Sequence, residues 1–297
     1  MLTIKKIIIK TSLYYLIFFL ITAPLPVILS SCAFKSITRS KSVEYLKADS
    51  STHIVSQKLN IFAPRKQKKQ KDVFIFIHGG NWNSGKRSLY SFLGTRLARK
   101  NVVSLIIDYP LSPKAGYKEM SFASAAAIKW AKDNIANYGG NPERIFISGH
   151  SAGGHLAALI SLDNEYFDTL GITNPIKGVI LIDAAGLDMY GYLKSENLEE
   201  GHTYYTTFTH NPAIWKKATP LYYLNSRIPP MLIYRGGKTY PSIKESNEKF
   251  ITALKKIAPG TSYQVLKGKK HVPMILQFFW SANPRYKEII QFMRNSK

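Results

Sequence analysis

The chain reads as an α/β fold: a mostly parallel central sheet flanked by helices, with a small cap insertion. Three observations predict it. Short apolar runs recur at residues 57–62, 73–78, 102–108, 144–148, 178–182, 231–234 and 263–266. Most of them lack alternation, the pattern of strands buried on both faces of a parallel sheet. Segments with apolar residues at 3–4 spacing lie between them, at 89–100, 121–137, 243–257 and 286–293, so strands alternate with helices. Finally, Gly149-His150-Ser151-Ala152-Gly153 separates the apolar run 144–148 from small, helix-spaced residues at 154–160. A turn that closes a strand and opens a helix within one residue needs glycine on both sides.

The N-terminus lies outside this alternation. Lys5, Lys6 and Lys10 precede an apolar stretch over 13–29, and no acid occurs before Glu44. This is the pattern of a secretory signal peptide, assigned to residues 1–31. The stretch ends Leu29-Ser30-Ser31-Cys32, and Cys32 is the single cysteine of the chain. That run resembles a bacterial lipobox, whose cysteine is lipidated. The expectation is an exported lipoprotein of the bacterial cell envelope, held to a membrane through a lipid anchor on Cys32. Residues 32–51 are polar and rich in Ser and Lys, and read as a tether. Residues 52–297 form the folded domain, with 45% apolar residues in the whole chain to fill a core. A lone cysteine leaves no disulfide to expect.

The net charge of +23 invites a nucleic-acid reading. The basic residues are scattered, however, and no zinc-finger, helix-turn-helix or RNP-like motif accompanies them, so no nucleic-acid partner is assigned. The dense run at 65–71 falls between two strands and reads as a solvated loop tip. Metal and cofactor motifs are also missing: there is no H-E-x-x-H, no cysteine cluster and no dinucleotide or Walker fingerprint. Neither a metal nor a cofactor is expected.

Chemistry concentrates at the carboxyl ends of the strands. The elbow holds the Ser151 hydroxyl out above the sheet, with the Ala152 amide turned toward a developing oxyanion. The strand at 73–77 ends in His78-Gly79-Gly80-Asn81-Trp82. Two glycines there let backbone N–H groups approach a substrate carbonyl unobstructed. His78 reads as a brace for that loop, and Asp108, after the next strand, as its support. A serine nucleophile needs a base. His271 stands in the glycine-containing loop after the last strand, whereas His155 sits in the elbow helix and His202 and His210 in the cap. Residues 186–226 break the alternation and form that cap. Its aromatics Tyr190, Tyr192, Tyr204, Tyr205, Phe208 and Trp215, with Trp82, read either as pocket lining or as packing of the cap on the sheet.

The block from Tyr138 to Ala157, together with His78-Gly79-Gly80-x-Trp82 and Asp108-Tyr109-x-Leu111-Ser112-Pro113, resembles the α/β-hydrolase superfamily. The likeness is to its carboxylesterase branch, which includes feruloyl-esterase-like and hormone-sensitive-lipase-like proteins and relatives of kynurenine formamidase. It spans roughly residues 55–295. It implies Ser151 as nucleophile, His271 as base, and the amides of Gly79, Gly80 and Ala152 as the oxyanion hole. The function implied is a serine hydrolase that cleaves small-molecule carboxylic esters through an acyl-enzyme.

One position departs from that pattern. In the family, an aspartate follows the strand at 231–234; here Thr239 holds its place, and no Asp occurs after Asp188. Losing the orienting acid costs about 10⁴-fold in rate. Asp183, at the carboxyl end of its strand, is the first substitute and Asp188 the second. Glu245 reads as surface, and a dyad without an acid is the remaining case. The alternatives to an esterase are an arylformamidase-like amidase and a catalytically degenerate lipoprotein that binds a ligand or polymer.

Overall fold

The computed structural model describes residues 36–48, 55–65, 68–196 and 198–296. The expected signal peptide and Cys32 lie outside these residues. The strands are β1 (Ile37–Leu46), β2 (Gln57–Pro64), β3 (Lys71–Ile77), β4 (Val103–Ile107), β5 (Gly140–His150), β6 (Ile176–Ile182), β7 (Met231–Gly236) and β8 (Ser262–Leu266). They form one eight-stranded sheet in the order β1-β2-β4-β3-β5-β6-β7-β8. β2 runs antiparallel to β1 and β4, and every pairing from β4 through β3 to β8 is parallel.

The helices begin with α1 (Ser91–Arg99), α2 (Tyr117–Asn134), α3 (Ala152–Leu162) and α4 (Glu165–Thr169). Then come α5 (Met189–Ser195), α6 (Thr203–Phe208), α7 (Pro212–Lys217), α8 (Pro241–Ile257), α9 (His271–Leu276) and α10 (Pro284–Asn295). Both faces of the sheet are covered, which explains the missing alternation. In β3, Val73, Ile75 and Ile77 enter one core layer with residues of α2, α3 and α8. Phe74 and Phe76 enter the other, against α1, α9 and α10. α3 is buried along its whole length, as its small apolar sequence requires. Between β6 and β7 the chain leaves the sheet as the short helices α5, α6 and α7, within the span read as a cap.

The tether reading is corrected where the structure describes it. Residues 37–46 form an edge strand paired with β2 from Ile37↔Pro64 to Leu46↔Gln57. Register shifts between Ser40 and Val43 and between Glu44 and Leu46 break the period-two pattern. Ser42 takes a positive φ of 56°, and its amide donates to Asn60 Oδ1 at 3.0 Å. Exposed Ser, Lys and Arg side chains suit a sheet edge that must not pair further. Tyr45 turns inward, buried, and its hydroxyl donates to the Asp108 carbonyl at 2.5 Å. Tyr45→Ala should therefore lower stability by about 3 kcal/mol in urea denaturation, through lost packing and one hydrogen bond. A tether residue would change nothing.

Candidate active site

β5 ends at His150, and Ser151 follows with φ 55° and ψ −124° before α3 begins. Such a backbone costs about 1–3 kcal/mol and persists only where its surroundings enforce it. The glycines around it are sterically required. A Cβ on Gly149 would stand 2.1 Å from the Gly153 carbonyl oxygen, and one on Gly153 2.1 Å from that of Ile77. Ser151 O accepts the amides of His155 and Ala185, both at 3.1 Å, which fixes the elbow to its helix and to the β6 loop.

His271 opens α9 just past β8, and its Nε2 lies 2.9 Å from Ser151 Oγ. Its Nδ1–H donates to Asp183 Oδ2 at 2.6 Å. Asp183 directly follows β6 and is fully buried, with φ 48°. Two further donors hold the carboxylate: the Gly236 amide on Oδ1 at 2.7 Å and the Thr239 hydroxyl on Oδ2 at 2.5 Å. Burial raises the Asp183 pKa, but hydrogen bonds from His271, Thr239 and Gly236 outweigh it and leave the value below the ordinary 3.8. Thr239, in the slot where the family pattern has an acid, thus donates to an acid brought from the neighbouring strand.

The other acids are engaged elsewhere. Asp188 caps α5, accepting from the Gly191 amide at 2.9 Å, and receives Lys249 at 3.0 Å. Glu245 pairs with Lys249 at 2.9 Å.

Gly79 lies against Ser151. A Cβ on Gly79 would sit 3.1 Å from Ser151 Cβ and 2.9 Å from the His150 carbonyl oxygen. Gly80, Asn81 and Trp82 all have positive φ, at 130°, 52° and 59°. The strained turn is held by Asn83 and Ser84 amides on the Gly80 carbonyl, at 3.1 and 2.9 Å, and by Ser112 N on Trp82 O at 3.0 Å. Ala152 is the first residue of α3, so its amide is among those without an intrahelical acceptor.

Three more histidines surround this centre. His78 is buried, with Nδ1 2.8 Å from the Gly79 carbonyl oxygen and its ring stacked on Tyr109 at 4.5 Å. His155 accepts Trp82 Nε1–H on Nδ1 at 3.2 Å and donates Nε2–H to the Ala218 carbonyl at 2.7 Å. It binds the Gly80–Trp82 turn to α3 and the cap, and burial lowers its pKa to about 4.

His150 is the residue that sequence reading missed. Its Nε2–H donates to the His271 carbonyl at 3.2 Å, and its ring stacks on that of His271 with centroids 4.6 Å apart. Burial first, and then the nearby His271, push its pKa down to about 3. No periodicity marks it, because the G-x-S-x-G pattern leaves that position free.

The nucleophile opens into a cleft of about 1010 Å³ lined by Trp82, Tyr192, Tyr204, Tyr240 and Phe279, among others. The aromatics proposed from sequence therefore divide. Trp82, Tyr192 and Tyr204 line the cleft, while Phe208 and Trp215 are buried in the core that joins cap and sheet. Tyr190 and Tyr205 pack partly buried against that core.

This sheet order, with a strand–serine–helix elbow and an Asp-His-Ser relay at the carboxyl ends of its strands, defines an α/β-hydrolase fold. The family model BD-FAE matches residues 59–248, and the chain belongs to that family. The esterase LipQ of Mycobacterium tuberculosis is 30% identical over 216 residues, covering 68% of this chain and 50% of LipQ. An isoprenylcysteine α-carbonyl methylesterase of Arabidopsis thaliana is 26% identical over 238 residues, 74% of this chain and 55% of the relative. The chain spans about half the length of these relatives. A truncated carbohydrate esterase from gut microbiota superposes with TM-score 0.73 at 19% identity, over 89% of this chain and 97% of that one. A butyrate-bound esterase of Thermogutta terrifontis does so with TM-score 0.67 at 23% identity, over 86% and 93%. At these identities the solved structures establish the fold.

The depressed pKa of Asp183 has a sign that can be checked. A carboxylate whose folded pKa lies below its unfolded value stabilises the fold above the unfolded pKa, and this contribution is lost as pH falls through the folded one. Thr239→Val removes one donor and should cost about 1–2 kcal/mol in urea denaturation at pH 7. The gap between variant and parent should shrink as the pH is taken below 3.8. A gap independent of pH would contradict the assigned role of Thr239.

Proposed function

We propose that the chain is a serine carboxylic ester hydrolase working through an acyl-enzyme on Ser151. The observation that carries this reading is the continuous relay from Ser151 Oγ to His271 Nε2 at 2.9 Å and from His271 Nδ1 to Asp183 at 2.6 Å. Ser151 Oγ attacks the ester carbonyl carbon as its proton passes to His271 Nε2. Negative charge collects on the carbonyl oxygen, where the amides of Ala152 and the Gly79–Gly80 turn serve as donors. The C–O bond to the alcohol breaks, and the alkoxide takes the proton from His271. Water then attacks the acyl-enzyme, giving a proton to His271, which returns it to Ser151 Oγ as the carboxylic acid leaves. Asp183 keeps Nδ1 protonated and offsets the imidazolium charge without taking the proton itself.

LipQ and the Arabidopsis thaliana protein are named for ester hydrolysis, and the Thermogutta terrifontis esterase holds butyrate. These names support the reaction class for this chain. A degenerate, ligand-binding role drew support from Thr239 in the acid slot and from the net charge of +23; the hydrogen bond from Thr239 to Asp183 speaks against the first of these.

Ser151 should take up a fluorophosphonate probe, and Ser151→Ala should not; an unlabelled but folded parent protein would refute the reading. On p-nitrophenyl acetate, Asp183→Asn should lower kcat by about 10⁴-fold. Asp188→Asn, which keeps an acceptor for the α5 cap, should stay within about twofold of the parent.

We further propose that Cys32 carries a lipid anchor and that the protein resides in a bacterial cell envelope. The support is the apolar stretch over 13–29 that leads to Leu29-Ser30-Ser31-Cys32, the single cysteine. Cys32→Ala should release the protein from the membrane fraction or block its processing. Unaltered anchoring and processing would reject lipidation.

A further inference from the structure

The mouth of the cleft carries exposed apolar surface beyond the Ser151–His271–Asp183 relay. Leu89, Tyr240, Val272, Leu276 and Phe279 are all exposed there, and all line the same opening. Phe279 is 53% exposed although its ring stacks on Phe92 at 3.8 Å, and Trp280 beside it is 64% exposed. Three separate segments meet in this patch: the turn before α1, the start of α8, and α9 with the turn after it. A contiguous apolar rim of this kind marks an interaction site, whereas single exposed apolar residues do not.

Charge indicates what the rim meets. Lys86 lies three residues before Leu89, Lys238 two before Tyr240, and Lys270 two before Val272; all three lysines are exposed. Among the described residues no ion pair engages any of them. Near these segments Asp108 is paired with Arg87, and Lys249 is shared between Glu245 and Asp188. Glu196 and Asp188 line the cleft from the cap, outside the three lysine-bearing segments, and Asp188 shares Lys249 with Glu245. The rim is therefore apolar in the middle and cationic at its border, on a chain of net charge +23.

We propose that this rim docks on an anionic phospholipid surface. Phe279 and Trp280 enter the boundary between headgroups and acyl chains, and Lys86, Lys238 and Lys270 meet the phosphates. Tryptophan, apolar in body with one N–H donor, suits that boundary. A second copy of the chain fits less well, because two such rims would bring like charges together. The docking does not rest on the esterase reading, and its test needs no turnover.

The experiment uses the full chain with vesicles of phosphatidylglycerol and phosphatidylcholine whose acyl chains are brominated near the headgroup. Of the four tryptophans, Trp82 and Trp215 are buried and Trp130 is half-buried against the core in α2, away from the cleft, while Trp280 is open to contact. Tryptophan emission should be quenched, and the quenched component should vanish in Trp280→Phe. Ser151→Ala should retain it, which separates docking from catalysis. Raising the salt should weaken the effect, and Lys238→Gln should lower partitioning about fivefold. Vesicle binding without quenching of Trp280 would overturn the proposal, because the chain would then be held elsewhere. Equal quenching on pure phosphatidylcholine at every salt concentration would overturn its electrostatic basis. Protection of Trp280 from aqueous iodide in lipid-free protein would also overturn it, assigning the rim to a second copy or to the chain itself.

Discussion

The Asp183 carboxylate is the junction on which the site depends. It follows β6, accepts the Gly236 amide at the end of β7 and the Thr239 hydroxyl just past it, and holds His271, which follows β8. Three neighbouring strands are thus tied at their carboxyl ends by one buried group. Because it is fully buried, leaving it without partners would cost several kcal/mol. Saturation by these donors makes the charge tolerable and fixes the rotamer of His271 as well. The relay to Ser151 is only as well aligned as this junction.

Strain gathers around the same point. Ser151, Asp183, Asn81 and Trp82 all have positive φ without being glycine. Three of them are held by hydrogen bonds to other elements: Ser151 O by His155 N and Ala185 N, Asp183 N on Tyr234 O, and Trp82 by Ser112 and His155. Such backbones occur where the surrounding structure over-determines them. Here the surroundings are a sheet with both faces covered and α3 buried along its length. A solvated loop would relax these angles and lose the 2.9 Å contact between Ser151 Oγ and His271 Nε2.

Much of this architecture was legible in the amino-acid order, because it rests on local rules. The unbroken apolar runs of β3 and β4 require burial on both faces, and glycines at 149 and 153 are demanded by contacts of 2.1 Å. β1 was not legible, since its register shifts at Ser40 and Glu44 erase the alternation that announces an edge strand. The acid could only be narrowed to candidates. Which of Asp183, Asp188 and Glu245 meets His271 depends on the order of β6, β7 and β8 and on one positive φ at Asp183, and neither leaves a mark in composition. His150 was invisible for the same reason: its contact with His271 spans 121 positions of sequence.

The four histidines near the nucleophile show how one fold assigns different tasks to one side chain. His78, His150 and His155 are buried, and burial is the largest cause lowering the pKa of each. Each spends a ring nitrogen on a main-chain carbonyl: Gly79 for His78, His271 for His150 and Ala218 for His155. With their pKa lowered, they brace the Gly79–Trp82 turn, His271 and the cap. His271 alone among them has a carboxylate within hydrogen-bonding distance, and it alone reaches Ser151 Oγ. In the proposed reaction, a second imidazole able to accept a proton in this space would compete for the serine hydrogen and repel the imidazolium formed during attack. Under the proposed mechanism, keeping three rings neutral while pairing the fourth with Asp183 directs the proton along one path.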